Sequence, residues 1–216
     1  MPMIHNLAFA CLLSACGLAA LAGETGKPAN ESEAMKADEH TLGPKVGAKA
    51  PDAALQTHTG EAMQLSSMLG KGPVVMVFYR GGWCPYCTKS LAGWDERMPE
   101  FAAAGATVMG LTPEKPGFVA ETVQAKQLDF KVYSDHTQAA AKAYNLVFSL
   151  DTDTITKYKG YGIDLSERNA NAKWDLPHPA TILIDTNGIV RKAWVNEDYR
   201  TRVSPDEVLA ALKELK

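Results

Sequence analysis

Cys84 and Cys87 stand three residues apart in the stretch Arg80-Gly81-Gly82-Trp83-Cys84-Pro85-Tyr86-Cys87. Residues at i and i+3 share a helical face, so the two thiols lie near the Cα separation that a disulfide requires. Pro85 suits the first position of a helix, where a missing N–H costs nothing, and this sets Cys84 at or beside the N-cap. There the helix dipole favours a thiolate, and Arg80 brings a second positive charge nearby. The chemistry implied is redox: a thiolate attacks an electrophile and its neighbour closes a disulfide. Zinc binding fits poorly. It needs four ligands, no second Cys pair exists, and His40, His58, His136 and His178 stand alone. Neither a metal nor a cofactor is expected.

Three further residues could support the pair. Trp83 either shelters the thiols or packs in the core. His178 could move protons or serve as a satisfied structural histidine. Glu114 follows Pro113 at a strand end near the site; a carboxylate there could act as a base, but the favoured reading is a solvated surface charge.

The elements that must position these residues are marked by pattern. Pro73 to Tyr79 is an apolar, β-branched and aromatic run bounded by glycines, and it predicts a buried central strand. The Cys helix follows and runs to about Ala104, with a kink at Pro99. Ahead of it, Ala54 to Thr57 and Ala62 to Leu65 flank Thr59-Gly60 as a hairpin, and Ser66 starts a short helical turn. Beyond it come a strand over Thr107 to Leu111, a helix over Gly117 to Lys126, a strand over Lys131 to Ser134 and a helix over Thr137 to Tyr144. Residues 145 to 176 show no regular pattern. Thr181 to Asp185 and Ile189 to Val195 are strands joined by Thr186-Asn187-Gly188, whose Asn-Gly pair signals a hairpin. The last helix has Ser204 as cap, Pro205 at its first position and Glu207 to complete a capping box before Val208 to Leu215. The sum is an α/β fold: a mixed central sheet with helices on both faces.

The 216 residues, 46% hydrophobic and 22% charged with a formal charge of −3, suit one soluble catalytic domain at residues 46 to 216. No basic cluster exists, so no nucleic-acid partner is expected. Leu7 to Ala22 is apolar and free of charge but short for a membrane span, and Ala20-Leu21-Ala22 supplies a small-residue cleavage pattern. Residues 1–22 are therefore expected to be a signal peptide and 23–45 a flexible leader, which puts the protein outside the cytoplasm, in a bacterial periplasm. Cleavage would leave Cys84 and Cys87 as the only cysteines. The rival reading is a lipoprotein, in which Leu13-Ser14-Ala15-Cys16 acts as a lipobox and Cys16 carries the lipid; only then is a membrane a partner.

Trp83-Cys84-Pro85-Tyr86-Cys87 and His178-Pro179-Ala180-Thr181, together with the order of strands, resemble the thioredoxin fold. Val46-Gly47-Ala48-Lys49-Ala50-Pro51-Asp52, Ser134-Asp135 and Ile184-Asp185-Thr186-Asn187-Gly188 extend the likeness over most of residues 46 to 216. On these motifs the chain is similar to the peroxiredoxin-like branch of the alkyl hydroperoxide reductase and thiol-specific antioxidant family. The resemblance implies a peroxidase that reduces hydrogen peroxide or organic hydroperoxides through Cys84 and Cys87, recycled by a thioredoxin-like or other dithiol donor. It also implies that Pro179 matches the cis-proline facing the cysteines of thioredoxins. The match departs at the catalytic positions. Arg80 falls where the family has Pro, Cys84 on its Thr, Cys87 on its peroxidatic Cys and Pro179 on its transition-state Arg. The peroxiredoxin register thus selects Cys87 as nucleophile, whereas position at the helix N-terminus favours Cys84 as the nucleophile, with Arg80 as its cation. Two other functions stay open: an exported thiol-disulfide oxidoreductase acting on protein disulfides, and a non-enzymatic redox sensor. The sequence leaves the oligomeric state undetermined.

Overall fold

The computed structural model describes residues 42–215; the expected signal peptide and most of the leader lie outside them. In chain order the strands are β1 (Ala54–Thr57), β2 (Ala62–Gln64), β3 (Val74–Phe78), β4 (Thr107–Thr112), β5 (Lys131–Ser134), β6 (Val147–Ser149), β7 (Asp175–Pro177), β8 (Ala180–Ile184) and β9 (Val190–Val195). The α-helices are α1 (Pro85–Asp95), α2 (Met98–Ala103), α3 (Pro116–Lys126), α4 (Ala139–Ala143), α5 (Thr152–Gly160), α6 (Leu165–Arg168) and α7 (Pro205–Lys213). A seven-stranded sheet runs β2-β1-β5-β4-β3-β8-β9, and β6 pairs with β7 as a separate ribbon.

Every residue of β3 is buried, because successive side chains of a central strand point to opposite faces and each face here is covered. Val74, Met76 and Phe78 join Ala140 and Ala141 of α4 and Tyr144 just after it on one face. Val75, Val77 and Tyr79 join Leu91 and Trp94 of α1, Val119 of α3 and Val208 and Leu212 of α7 on the other. Parallel pairing of β3 with β4 and of β4 with β5, and antiparallel pairing of β3 with β8, makes the sheet mixed. Register then sets the site. Phe78 stands opposite Leu111 of β4 and Ala180 of β8, so the residues just past β3 meet those just past β4 and just before β8.

The expected long Cys helix is two helices, broken at Glu96 and Arg97. Pro99 sits near the N-terminus of α2, where it is tolerated; it cannot donate the hydrogen bond that would continue α1. The helix expected from Thr137 begins two residues later. Gln138 adopts a left-handed conformation, φ 56°, and the Asp135 carboxylate accepts from Ala140 N and Ala141 N at 3.1 and 2.8 Å, capping α4. Ser204 Oγ caps α7 by accepting from Glu207 N at 3.2 Å, but the Glu207 carboxylate accepts from Trp194 Nε1 at 2.9 Å, so the reciprocal arm of the capping box is not formed.

Residues 145 to 176 are not irregular. They hold β6, α5, α6 and β7. Asp151 caps α5 by accepting from Thr154 N at 2.8 Å, yet α5 buries none of its residues. A helix without a buried stripe has no apolar period to reveal it.

Candidate active site

Beyond β3 the chain turns sharply to reach α1. Gly81 has φ +153°, and a Cβ there would collide with the Trp83 indole and lie 2.9 Å from Glu114 Cδ; a Cβ on Gly82 would collide with the Thr122 hydroxyl of α3. Both glycines thus let the backbone run against its neighbours. Gly82 N donates to Glu114 Oε2 at 2.7 Å, tying the turn to the end of β4. Cys84 follows as the N-cap of α1, extended at φ −91° and ψ 113°, with Pro85 opening the helix. Its carbonyl accepts from Cys87 N and Thr88 N, both at 3.0 Å.

Cys84 and Cys87 are free thiols, and both are fully buried. Each has its own guanidinium. Arg80 Nη2 donates to Cys84 Sγ at 3.1 Å and Arg202 Nη2 to Cys87 Sγ at 3.2 Å. The two sulfurs are nevertheless unlike. A hydrogen bond from the Cys87 thiol, reinforced by Arg80, outweighs burial and brings the Cys84 pKa down to about 5. Burial, followed by the adjacent Cys84 thiolate, drives the Cys87 pKa well above its ordinary value, with Arg202 opposing. The arrangement holds one thiolate and one thiol in contact.

Aromatic rings roof the pair. The Arg80 guanidinium lies 3.8 Å from the centre of the Tyr199 ring and 5.1 Å from that of Trp83, and Arg80 Nη1 donates to the Tyr158 hydroxyl at 3.0 Å. Trp83 meets Tyr158 edge to face at 5.4 Å, and Tyr86 meets Tyr199 at 5.6 Å. Tyr86 and Tyr199 are exposed at the rim. Two open cavities flank this roof. One of about 240 Å³ reaches Arg80 between Phe148, Leu150, Tyr158, His178 and Tyr199. The other, about 410 Å³, reaches Arg202 between Trp94, Ala180, Trp194 and Val203, and Pro179 lines both.

The structure brings together Cys84, Cys87, Arg80 and Trp83, and Pro179 lines the cavity that reaches Arg80. His178 sits further back, its ring 4.4 Å from that of Phe148, its Nδ1 without a partner and its pKa lowered by burial. Glu114 is not the solvated surface charge expected. It is completely buried, because α6 packs over the end of β4 and Arg168 Nε donates to Glu114 Oε1 at 2.8 Å. Burial raises its pKa, against the pull of Gly82 N and Arg168. With both oxygens engaged, Glu114 holds the turn. The spacing of the motifs does not single out Arg202, Tyr199, Tyr158 or Arg168; each reaches the site from more than fifty positions away, and only the pair of arginines in Arg200-Thr201-Arg202 gives a hint. Among the described residues no cluster of three or more His, Cys, Asp or Glu could hold a metal.

Residues 46–193 match the model of the AhpC/TSA family. The chain is similar to peroxiredoxin Bcp of Escherichia coli strain K12, with 26% identity over 171 residues covering 79% of this chain and 96% of that one. It is also similar to the chloroplastic peroxiredoxin Q of Sedum lineare, with 29% identity covering 79% and 78% of the two chains. The crystal structure of peroxidoxin BcpB from Mycobacterium tuberculosis shares the fold, with a TM-score of 0.63 at 24% identity over 80% of this chain and 99% of that one. A thioredoxin-like sheet, a thiol pair at a helix N-terminus and a match over two thirds of the chain agree: this protein belongs to the AhpC/TSA family and is an oxidoreductase of the peroxiredoxin type.

Proposed function

We propose that the protein is an exported thiol peroxidase in which Cys84 reduces hydrogen peroxide or an organic hydroperoxide, Cys87 closes the disulfide, and an external dithiol recycles it. The observation that carries this reading is the split between the two sulfurs: Arg80 on Cys84 with its pKa at about 5, and a buried, protonated Cys87 beside it. A thiolate at neutral pH is the nucleophile that peroxide reduction needs. It attacks the distal oxygen; the O–O bond breaks, a sulfenic acid forms on Cys84, and the alkoxide or hydroxide released takes a proton from solvent to leave as alcohol or water. Cys87 then attacks the Cys84 sulfur, the S–O bond breaks and the hydroxide leaves as water with the Cys87 proton. Arg80 acts here as the cation beside the reacting sulfur, a role the family register would have assigned elsewhere. Trp83 shelters the thiolate, Pro179 walls the cavity beside Arg80, and Glu114 fixes the turn.

The roof favours a small substrate. With both sulfurs buried beneath Arg80 and Tyr199, a hydroperoxide can enter through the 240 Å³ cavity more readily than a folded protein's disulfide. One observation supports disulfide exchange as a second reading: the low-pKa thiol is the N-terminal cysteine of the pair. Export rests on the apolar segment Leu7 to Ala22 and its cleavage pattern. A thioredoxin-like dithiol relay suits a compartment where no glutathione pool can be assumed. Stopped-flow tryptophan fluorescence of the reduced protein with hydrogen peroxide and cumene hydroperoxide tests this reading. Oxidation far faster than that of a free thiol is expected in the wild type and in Cys87→Ser; a wild-type rate no faster than a free thiol would favour disulfide exchange.

A further inference from the structure

The segment from Asn196 to Ser204 links β9 to α7 across the thiol pair, and hydrogen bonds hold its shape. Asn196 N donates to the Pro179 carbonyl at 3.2 Å, Asp198 Oδ1 accepts from Arg200 N at 3.0 Å, and Thr201 N donates to the Asp198 carbonyl at 3.0 Å. From this strap Tyr199 stacks on Arg80, and Arg202 divides its fork between the Tyr199 carbonyl, which accepts from Nη1, and Cys87 Sγ. The guanidinium is thus oriented at a sulfur 115 positions away that carries no charge in the resting pair.

A cation set on a neutral thiol contributes little; set on a thiolate it makes a charge-assisted hydrogen bond roughly twice as strong. Cys87 must become that thiolate in one step only. When Cys84 is a sulfenic acid it no longer repels charge on Cys87 or accepts its proton as a thiolate would, and burial is the remaining obstacle. We propose that Arg202 is a further catalytic residue: it stabilises the Cys87 thiolate as this attacks the Cys84 sulfenic acid. The S–S bond forms, the Cys84 S–O bond breaks, and hydroxide departs with the proton that Cys87 released. No electrons beyond those already taken by the peroxide are exchanged. Arg80 then serves the first step and Arg202 the second, one guanidinium for each sulfur. This role rests on the peroxidase reading given above.

The test resolves the two steps in the reduced protein. In stopped-flow fluorescence with hydrogen peroxide, Arg202→Met should slow disulfide closure on the order of tenfold, the scale of a lost charge-assisted bond, while oxidation of Cys84 changes far less. Dimedone should then trap more sulfenic acid on Cys84, and excess peroxide should drive more of it to sulfinic acid. Arg202→Lys should recover part of the closure rate, and Arg200→Met, on the same strap but paired with Asp198, should leave both phases as in the wild type. Closure in Arg202→Met at the wild-type rate, or Lys no better than Met, would overturn the role. Ellman's reagent separates this from failure of the peroxidase reading. Cys84 releases one thionitrobenzoate and Cys87 the second, so the slowed second release in Arg202→Met is expected even where peroxide reacts slowly.

Discussion

Two buried charges flank the turn from Arg80 to Trp83, and the contrast between them separates holding from reacting. Glu114 has both carboxylate oxygens engaged, by Gly82 N at 2.7 Å and Arg168 Nε at 2.8 Å, and its carbonyl accepts from Ser134 Oγ at 2.5 Å. Its partners are a backbone amide, a permanent cation and a hydroxyl, none of which changes state near neutral pH. Arg80 has one bond to a tyrosine hydroxyl, one to a sulfur that titrates, and an Nε without a partner. A buried charge whose partners are all fixed contributes geometry; one bonded to a group that can gain or lose a proton sets reactivity.

Substitutions that disturb one side and spare the other test this division. Cys84→Ser should abolish the fast peroxide phase altogether, read by stopped-flow fluorescence, whereas Cys87→Ser should keep it; the reverse result would return the nucleophile to the position that the family register selects. Arg80→Met removes the hydrogen bond and charge on Cys84, so its alkylation midpoint should climb toward ordinary thiol values and the peroxide rate at neutral pH should fall on the order of tenfold. Glu114→Ala should act on stability instead. It strands Gly82 N and Arg168, at a cost of about 1–3 kcal/mol visible in the urea midpoint, with the Cys84 alkylation midpoint moving far less than in Arg80→Met. Equal movement in both variants would dissolve the distinction between the two regions.

The remaining effect is one of pH. Between about 5 and the ordinary thiol value of 9.0 the folded chain holds Cys84 as thiolate while the unfolded chain keeps its proton, so stability rises with pH across that window and the gain is lost as pH falls through about 5. Cys87, raised in the fold, works the other way only above its ordinary value. The melting temperature of the reduced protein, measured against Cys84→Ser, should therefore climb from pH 5 to 9; a flat difference would mean that Cys84 is not an ionised thiol.

Local sequence carries what local physics decides. Cys84 at the N-cap, Pro85 at the first turn, the buried run of β3 and the Asn187-Gly188 hairpin were all legible because each depends on neighbours within a few residues. The same was true of Arg80, four positions before the sulfur it touches. Arg202 and Tyr199 were not legible, since only the return of β9 beside β8 brings their strap over α1. Glu114 was misread because Pro113 and Lys115 beside it suggest a surface turn, and its cover, α6, begins some fifty residues later. The helix α5 and the β6/β7 ribbon hid for a different reason: short, polar elements leave no period to detect.

The central claim is that the two thiols are held in opposite protonation states, with Cys84 the thiolate. It is tested most directly by pulse alkylation of the reduced protein with iodoacetamide from pH 4 to 10, each cysteine quantified by peptide mass spectrometry. Labelling of Cys84 with a midpoint near 5, and of Cys87 only at alkaline pH, is the predicted result. Labelling of Cys87 ahead of Cys84, or a shared midpoint near that of a free thiol, would contradict it.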